Sequence, residues 1–471
     1  MSSLWPHQTE ILAGIRSKLA LPERSCVAAM PTGAGKSRVM VTMLEGAHRK
    51  GNPSLITVPS PEILDQFVAE IGVPVEVLRA GKRPNLSTAL AVVAMSQTLT
   101  VRDVTWPVRL MLDDEIHRLT DQRIAIAARF SGCYRVGFTA TPARLGGTPL
   151  SSYSPHLVLG PQVPDLQRLG ILVPTVTFQG PSPDLQGIKV EAGDYAKGQL
   201  QTAHRRPALL GDVPRWLARL GKGRRIIGFT TGREHSADLV AACQAIGLRS
   251  MAIDGTSKPD VRAGALDLLR SGELDVLWNC MLLVEGLNLV ECDAVALCFS
   301  TLSVDKYMQA IGRCLRNSPH TGKVGAHVYD FGGNSFQERH GLVDQERDWL
   351  DSGKPKPLAQ GPSLRTCAEC YAMWIGAGPC PRCGHDSVPG ERSAPRVVMG
   401  ELKPVTAAEL GRIAAAASRA TPPRPPPTGC KNDGLWRTLE AKRAANGYDL
   451  GDETRAHPGY TVAMYRRLNR G

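Results

Sequence analysis

The chain has 471 residues, more than one hydrophobic core usually serves, so two or three domains are expected. Hydrophobic residues make up 42% and charged residues 21%, which excludes a disordered or fibrous chain. Lys and Arg exceed Asp and Glu by 12; this suits a polyanionic partner, nucleic acid above all, although a solvated basic surface gives the same charge.

Residues 1–10 carry neither a basic n-region nor an apolar h-region, and no apolar run reaches the length of a membrane span. Cysteines placed singly in apolar runs, as at Cys26, Cys280 and Cys298, read as buried thiols of a reducing compartment. A cytoplasmic protein without a membrane partner is the expectation.

In chain order, short apolar runs at 25–30, 54–58, 90–94, 108–112 and 135–138 read as buried strands. Helical patterns at 36–50 and 61–71 fall between them. Residues 144–206 are irregular and rich in Pro and Gly and read as the interdomain connection plus the start of the second domain. A second series follows, with strands at 225–229, 249–253, 275–279, 294–299 and 325–329 and helices at 234–246, 259–270 and 304–315. This alternation predicts an α/β protein of two tandem domains, residues 1–150 and 151–350, each a parallel sheet flanked by helices. Beyond them we expect a Cys-rich module at 364–390, a Pro-rich linker at 391–431 and a small basic module at 432–471. In the last, aromatics alternate with Arg and Lys, which suits either nucleic-acid stacking or a small core of its own.

MPTGAGKS at 30–37 follows the first strand and opens the first helix. A Gly-rich turn there presents backbone N–H groups of Thr32, Gly33, Ala34 and Gly35 to a phosphate, with the helix dipole behind them. Lys36 can reach the β- and γ-phosphates and Ser37 can ligate Mg²⁺. Met30 stands where the strict phosphate-loop pattern has Gly. Near residue 113 another apolar strand ends in acidic residues. Asp114 suits the Mg²⁺ site, with Asp113 as a competitor, and Glu115 suits activation of water. In QAIGRCLR, Gln309, Arg313 and Arg316 fall at i, i+4 and i+7, one face of the expected helix. Two arginines there can reach a γ-phosphate held by the first domain, and a solvated basic helix face is the alternative.

These runs, in this order, resemble the superfamily 2 helicases, specifically the XPB/UvsW-like branch, and phage-encoded DNA helicases with a C-terminal zinc ribbon. WPHQ is similar to the adenine-recognition motif, which places Gln8 at the base. MPTGAGKS resembles motif I and DEIH, with His117, a DExH box. GFTATPAR, with Thr139 and Thr141, resembles motif III, which couples hydrolysis to strand movement. LLVEGLNL resembles motif V, with Glu285 and Gly286 near the nucleotide, and QAIGRCLR resembles motif VI. Asn288 departs from the Asp usual in motif V. The resemblance implies two RecA-like domains and ATP bound with Mg²⁺ between them. It also implies a strand of DNA held by motifs Ia, Ib and IV at Thr57, Ser60, Ser96, Gln97, Thr230, Thr231 and Gly232.

Cys367-x₂-Cys370 and Cys380-x₂-Cys383 stand nine residues apart. Four thiolates at this spacing make a closed tetrahedral site, so Zn²⁺ is expected, with an iron–sulfur cluster as the alternative. Such a ribbon would serve to bind DNA or to dock a replication or recombination protein. The functional expectation is an ATP-dependent DNA helicase or translocase in a bacterial or phage-infected cell. The alternatives are an ATP-clamped nucleic-acid scaffold or loader, and an RNA helicase.

Overall fold

Strands form here where apolar runs can be covered on both faces, and the order in which they pair sets where the loops meet. The computed structural model describes residues 4–82, 84–102, 106–142, 148–280, 289–336, 339–349, 364–367 and 369–385. Glu285, Gly286, the Pro-rich linker and the C-terminal module lie outside the described residues.

The first half runs α1 (Pro6–Leu19), β1 (Ser25–Ala29), α2 (Lys36–His48), β2 (Ser54–Val58), α3 (Pro61–Glu70), β3 (Glu76–Leu78), β4 (Ala91–Met95) and α4 (Ser96–Val101). It continues with β5 (Leu110–Asp113), α5 (Asp121–Arg129), β6 (Tyr134–Thr139), β7 (Leu157–Leu159) and α6 (Val163–Arg168). Its strands lie parallel in the order β3-β4-β2-β5-β6-β1-β7. Every residue of β1, β2, β4 and β5 is buried, as expected of parallel strands covered on both faces.

The second half runs β8 (Thr175–Gln179), β9 (Val190–Glu191), β10 (Asp194–Tyr195), α7 (Lys197–His204), α8 (Pro207–Leu220), β11 (Ile226–Thr230) and α9 (Arg233–Ala245). It continues with β12 (Ser250–Ile253), α10 (Pro259–Arg270), β13 (Val276–Asn279), β14 (Ala294–Cys298), α11 (Val304–Ile311) and β15 (Ala326–Asp330). Its sheet is also parallel, in the order β12-β13-β11-β14-β15-β8. The architecture is two tandem RecA-like α/β domains. In each sheet the loops at the carboxyl ends of the strands carry the candidate motifs, the ligand edge of such folds.

Two expectations need correction. Residues 144–206 are not simply irregular: they contain β7, which pairs with β1, and β8, which closes the edge of the second sheet beside β15. Their short runs lack the length and alternation that mark a strand in sequence. Helix α11 ends at Ile311 rather than at 315. The chain beyond it is claimed by tertiary pairing: Val173 N–H donates to Leu315 O at 2.9 Å and Arg316 bridges to Leu172. Gln309, Arg313 and Arg316 therefore do not share one helix face.

The cysteine-rich hairpin, β16 (Leu364–Thr366) and β17 (Met373–Ile375), is antiparallel. It sits against β8, where Phe178 bridges to Ala372 and Gln179 N–H donates to Tyr371 O at 3.1 Å. Cys367, Ala372, Trp374 and Cys380 belong to the same buried cluster as Phe178, Trp278 and Phe331.

The second half holds several neutral imidazoles, buried at His235 and His340 and half-buried at His327. Burial pushes His235 and His340 down to about 4 and His327 to about 3. An unfolded imidazole takes up a proton near 6.5, so between that pH and about 4 the unfolded state binds more protons than the folded one. Stability is thus fully present above pH 6.5 and is lost as pH falls toward 4, by about 1.4 kcal/mol per group per pH unit at most. Melting curves at pH 8 and pH 5 are expected to show a clear drop in midpoint at pH 5. An unchanged midpoint would refute this account.

Candidate nucleotide cleft

A cleft of about 710 Å³ opens between the two sheets. The first half lines it with Thr32, Gly33, Gly35, Lys36, Ser37, Asp114 and Glu115, and the second with Arg313, Arg316 and Asn317. On the phosphate-loop side, Gly33 and Gly35 take φ of 89° and 83°. These left-handed values turn the chain sharply from β1 into α2, and a side chain at either position would be strained. At the facing wall, a Cβ on Gly312 would lie 2.6 Å from Cβ of Thr32, so glycine there lets the two halves approach.

The acidic pair divides its labour by register. Asp113 ends β5 and faces inward: its carboxylate accepts from the hydroxyls of Thr57 and Tyr153, the latter at 2.5 Å. Asp114 lines the cleft, and its buried Oδ1 has no hydrogen-bond partner. An orphaned buried carboxylate oxygen in the cleft that Ser37 also lines fits a hard cation such as Mg²⁺. Burial first, and then the neighbouring Glu115 charge, push the Asp114 carboxyl up to about 6. Glu115 adopts a left-handed turn, φ 49° and ψ 51°, at the start of a short 3₁₀ segment. Its Oε1 lies 3.1 Å from Nζ of Lys36 and its Oε2 lies 3.1 Å from Nδ1 of His117. Burial opposes its charge, but Lys36 and His117 prevail and hold it below the usual carboxylate range. Burial also opposes the Lys36 ammonium, and Glu115 and Asp114 outweigh it, raising its pKa.

Gln309 and Gln8 make contacts other than those the sequence implied, while Thr139 and Thr141 join His117 to the second domain. Gln309 is buried and its Nε2 lies 3.3 Å from Nε2 of His117, so it contacts the DEIH segment rather than the cleft. Gln8 is buried, donating to Ala34 O at 3.2 Å and accepting from Trp5 N–H at 3.0 Å; its amide is engaged by the phosphate loop and its own helix start. Thr139 Oγ1 lies 3.4 Å from His117 Nδ1 and donates to Thr141 O at 2.7 Å, and the Thr141 hydroxyl donates to Asp305 across the cleft.

Of the expected nucleic-acid contacts, three hydroxyls are buried and engaged. Thr57 donates to Asp113, Ser96 to Val58 O at 3.1 Å, and Thr230 lies 2.6 Å from Ser236 Oγ. These groups secure strand ends and are not presented to a phosphate. Gln97 is exposed, while Ser60, Thr231 and Gly232 are partly exposed, at the carboxyl ends of β4, β2 and β11.

Three positioning groups were not foreseen. Arg123, buried on α5, donates to Asp114 O at 2.7 Å and Glu115 O at 2.8 Å, clamping the acidic turn. Lys323, buried, donates to Cys292 O at 2.6 Å and Arg316 O at 2.8 Å, anchoring the arginine loop. Asp305, on α11, reaches the first domain. Asp305 had a legible signal, since it stands one helical turn before Gln309 on the same face. The other two depend on contacts that no local pattern encodes.

The sulfur atoms of Cys367, Cys370, Cys380 and Cys383 all lie within 4.8 Å of one another, with 3.5 Å between Cys367 and Cys383 and 3.6 Å between Cys370 and Cys380. A tetrahedral zinc–thiolate site has sulfur separations of roughly 3.8 Å, so the four residues fit such an ion.

The profile of the type III restriction enzyme res subunit matches residues 1–144, and that of the helicase conserved C-terminal domain matches residues 210–318. The chain is 27% identical over 368 residues to a 51.5 kDa protein of Lactococcus phage (isolate 7-9), covering 76% of this chain and 77% of the phage protein. It is 23% identical over 349 residues to Schizosaccharomyces pombe irc3, provisionally named a mitochondrial ATP-dependent helicase, covering 70% of this chain and 57% of irc3. Its fold resembles a fragment assigned as the HsdR subunit of a type I restriction enzyme from Vibrio vulnificus YJ016, with a TM-score of 0.56, 18% identity, and coverage of 74% of this chain and 69% of that one. It also resembles the type ISP restriction-modification enzyme LlaBIII, solved bound to DNA, with a TM-score of 0.52 and 16% identity over 70% of this chain and 28% of LlaBIII. With both halves matched in the expected order and their motifs gathered at one interdomain cleft, the chain belongs to the superfamily 2 helicases.

Proposed function

We propose that this protein is an ATP-driven DNA translocase or helicase whose motor stroke is the opening and closing of the cleft. The observation that carries the reading is the meeting, in one cavity, of Lys36, Ser37, Asp114 and Glu115 with Arg313 and Arg316 from the other domain. Only an arrangement that spans both domains lets hydrolysis change their separation. Thr32 to Ser37 cradle the phosphates, with Lys36 at the β- and γ-phosphates. Ser37 and Asp114 would hold Mg²⁺, which when bound neutralises phosphate charge. Glu115 orients water and takes its proton, and Arg313 and Arg316 stabilise charge on the γ-phosphate. In this structure Lys36 is paired with Glu115. A phosphate drawing Lys36 away releases one carboxylate oxygen for water, so the base is unmasked when nucleotide is present. Glu285 and Gly286 are assigned to the nucleotide by motif alone.

The exposed and partly exposed motif residues Ser60, Gln97, Thr231 and Gly232 support a path for one strand along the carboxyl ends of both sheets. The net positive charge and the DNA-bound LlaBIII relative in fold support DNA as that strand. Similarity to a phage protein supports a place in the cytoplasm of an infected bacterial cell. The four-cysteine hairpin is assigned Zn²⁺.

The test is ATP hydrolysis by the full chain alone and with single-stranded DNA, forked DNA or RNA at fixed salt. Stimulation by DNA is expected, with Lys36→Ala reducing it to background. Hydrolysis indifferent to every nucleic acid would sink the motor reading, and stimulation by RNA alone would change the substrate class.

A further inference from the structure

Glu115 is gripped from both sides. One oxygen meets Lys36 and the other meets His117, whose second ring nitrogen faces the other domain. There, Nε2 of His117 lies 3.2 Å from Oδ2 of Asp305. The other oxygen of Asp305 accepts from the Thr141 hydroxyl and from Gln309 Nε2 at 3.0 Å. The side chains are mostly buried, 6% exposed at His117, 14% at Glu115 and 16% at Asp305. A continuous chain of polar contacts thus runs from Lys36 through Glu115 and His117 to a carboxylate on α11. Separating the domains breaks the network at three places, His117–Asp305, Thr141–Asp305 and His117–Gln309.

We propose that Asp305 is a positioning residue that reports closure of the second domain to Glu115, by holding the His117 ring that orients the Glu115 carboxylate. The inference rests on the role proposed for Glu115. With the domains apart, the Nε2 side of His117 loses Asp305 and Gln309, only the Thr139 contact at Nδ1 still restrains the ring, and Glu115 is held less firmly. Hydrolysis is then gated by closure and does not depend on nucleotide occupancy alone. Asp305 is not among the residues that line the nucleotide cleft, so it belongs to neither the binding set nor the proton-transfer set.

The test is Asp305→Asn, which keeps size and an acceptor for Thr141 but removes the negative charge facing His117. Expected is a fall in kcat of roughly 10- to 100-fold, KM for ATP within about twofold of the parent, and an unchanged melting midpoint. If Asp305 acts through His117, combining it with His117→Gln adds little: the double variant is expected within about twofold of the slower single variant. Asp305→Glu is expected to recover part of the rate. Parental kcat in Asp305→Asn, a rise in KM matching the fall in kcat, or multiplicative losses in the double variant would each overturn the proposal. A parent whose hydrolysis ignores nucleic acid sinks the motor reading, while its basal rate still decides Asp305. A parent that hydrolyses no ATP under any condition overturns both.

Discussion

Glu115→Gln is expected to lower kcat for ATP hydrolysis about 10²- to 10⁴-fold, the range for loss of a positioned general base, with little change in nucleotide affinity. The replacement is nearly isosteric, so the left-handed turn at residue 115 and the clamp from Arg123 persist. The amide still fills the space between Lys36 and His117 but cannot accept a proton from water. Lys36 loses an ion pair that it would surrender to phosphate in any case, so ATP binding is expected to hold steady or tighten. The measurement is steady-state kcat and KM beside direct titration of a fluorescent ATP analogue. A kcat within threefold of the parent would remove Glu115 from its role. A variant that has lost hydrolysis but retains full biological activity would instead favour the ATP-clamped scaffold over the motor.

How much of this was legible in the sequence depends on whether a contact is local. The two parallel sheets followed from short apolar runs alternating with amphipathic ones, because strands buried on both faces need such runs. The phosphate loop was equally plain, since a strand, a glycine turn and a helix are consecutive in the chain. Register against the motif already favours Asp114 over Asp113, and packing adds the physical reason: adjacent carboxylates on a strand end point to opposite sides, and Tyr153 and Thr57 cover the first. The length of α11 was misjudged because QAIGRCLR has a helical pattern throughout, whereas Val173 and Leu172 draw its last residues into other pairings. Thr57, Ser96 and Thr230 were expected on a nucleic-acid path from motif position alone, and burial at strand ends turns their hydroxyls inward. Lys323 and Arg123 serve backbone carbonyls across turns and loops, at separations from 7 to 31 residues, which no helix or strand period announces.

Removing metal from the cysteine hairpin is expected to weaken the second domain itself, and not merely to detach an appendage. Without an ion, four sulfurs gathered within 4.8 Å have nothing to neutralise their thiolate form, and a hairpin this short has too little core to stay closed. Its closure matters beyond the hairpin. Cys367 and Cys380 are buried in the cluster that holds Phe178 and Trp278, Tyr371 packs on Trp216 at 4.6 Å, and Arg382 lies over the Phe178 ring at 4.4 Å. Opening it uncovers β8, the edge strand, and loses about 2–5 kcal/mol of packing by analogy with large-to-small core changes. For a domain of this size that lowers the melting midpoint by roughly 5–15 °C. Because Arg313 and Arg316 hang from the same domain, hydrolysis is expected to fail at a correspondingly lower temperature. The measurement pairs elemental analysis of the purified protein with melting curves before and after a strong chelator, and repeats both on Cys370→Ser. One zinc released per chain with the expected drop supports a structural ion, whereas a visible-light absorbance lost on chelation would assign an iron–sulfur cluster instead. Stoichiometric release with an unchanged midpoint would show that the hairpin's contacts with β8 contribute nothing to the domain, and the ribbon would then be free to serve DNA or a partner on its own.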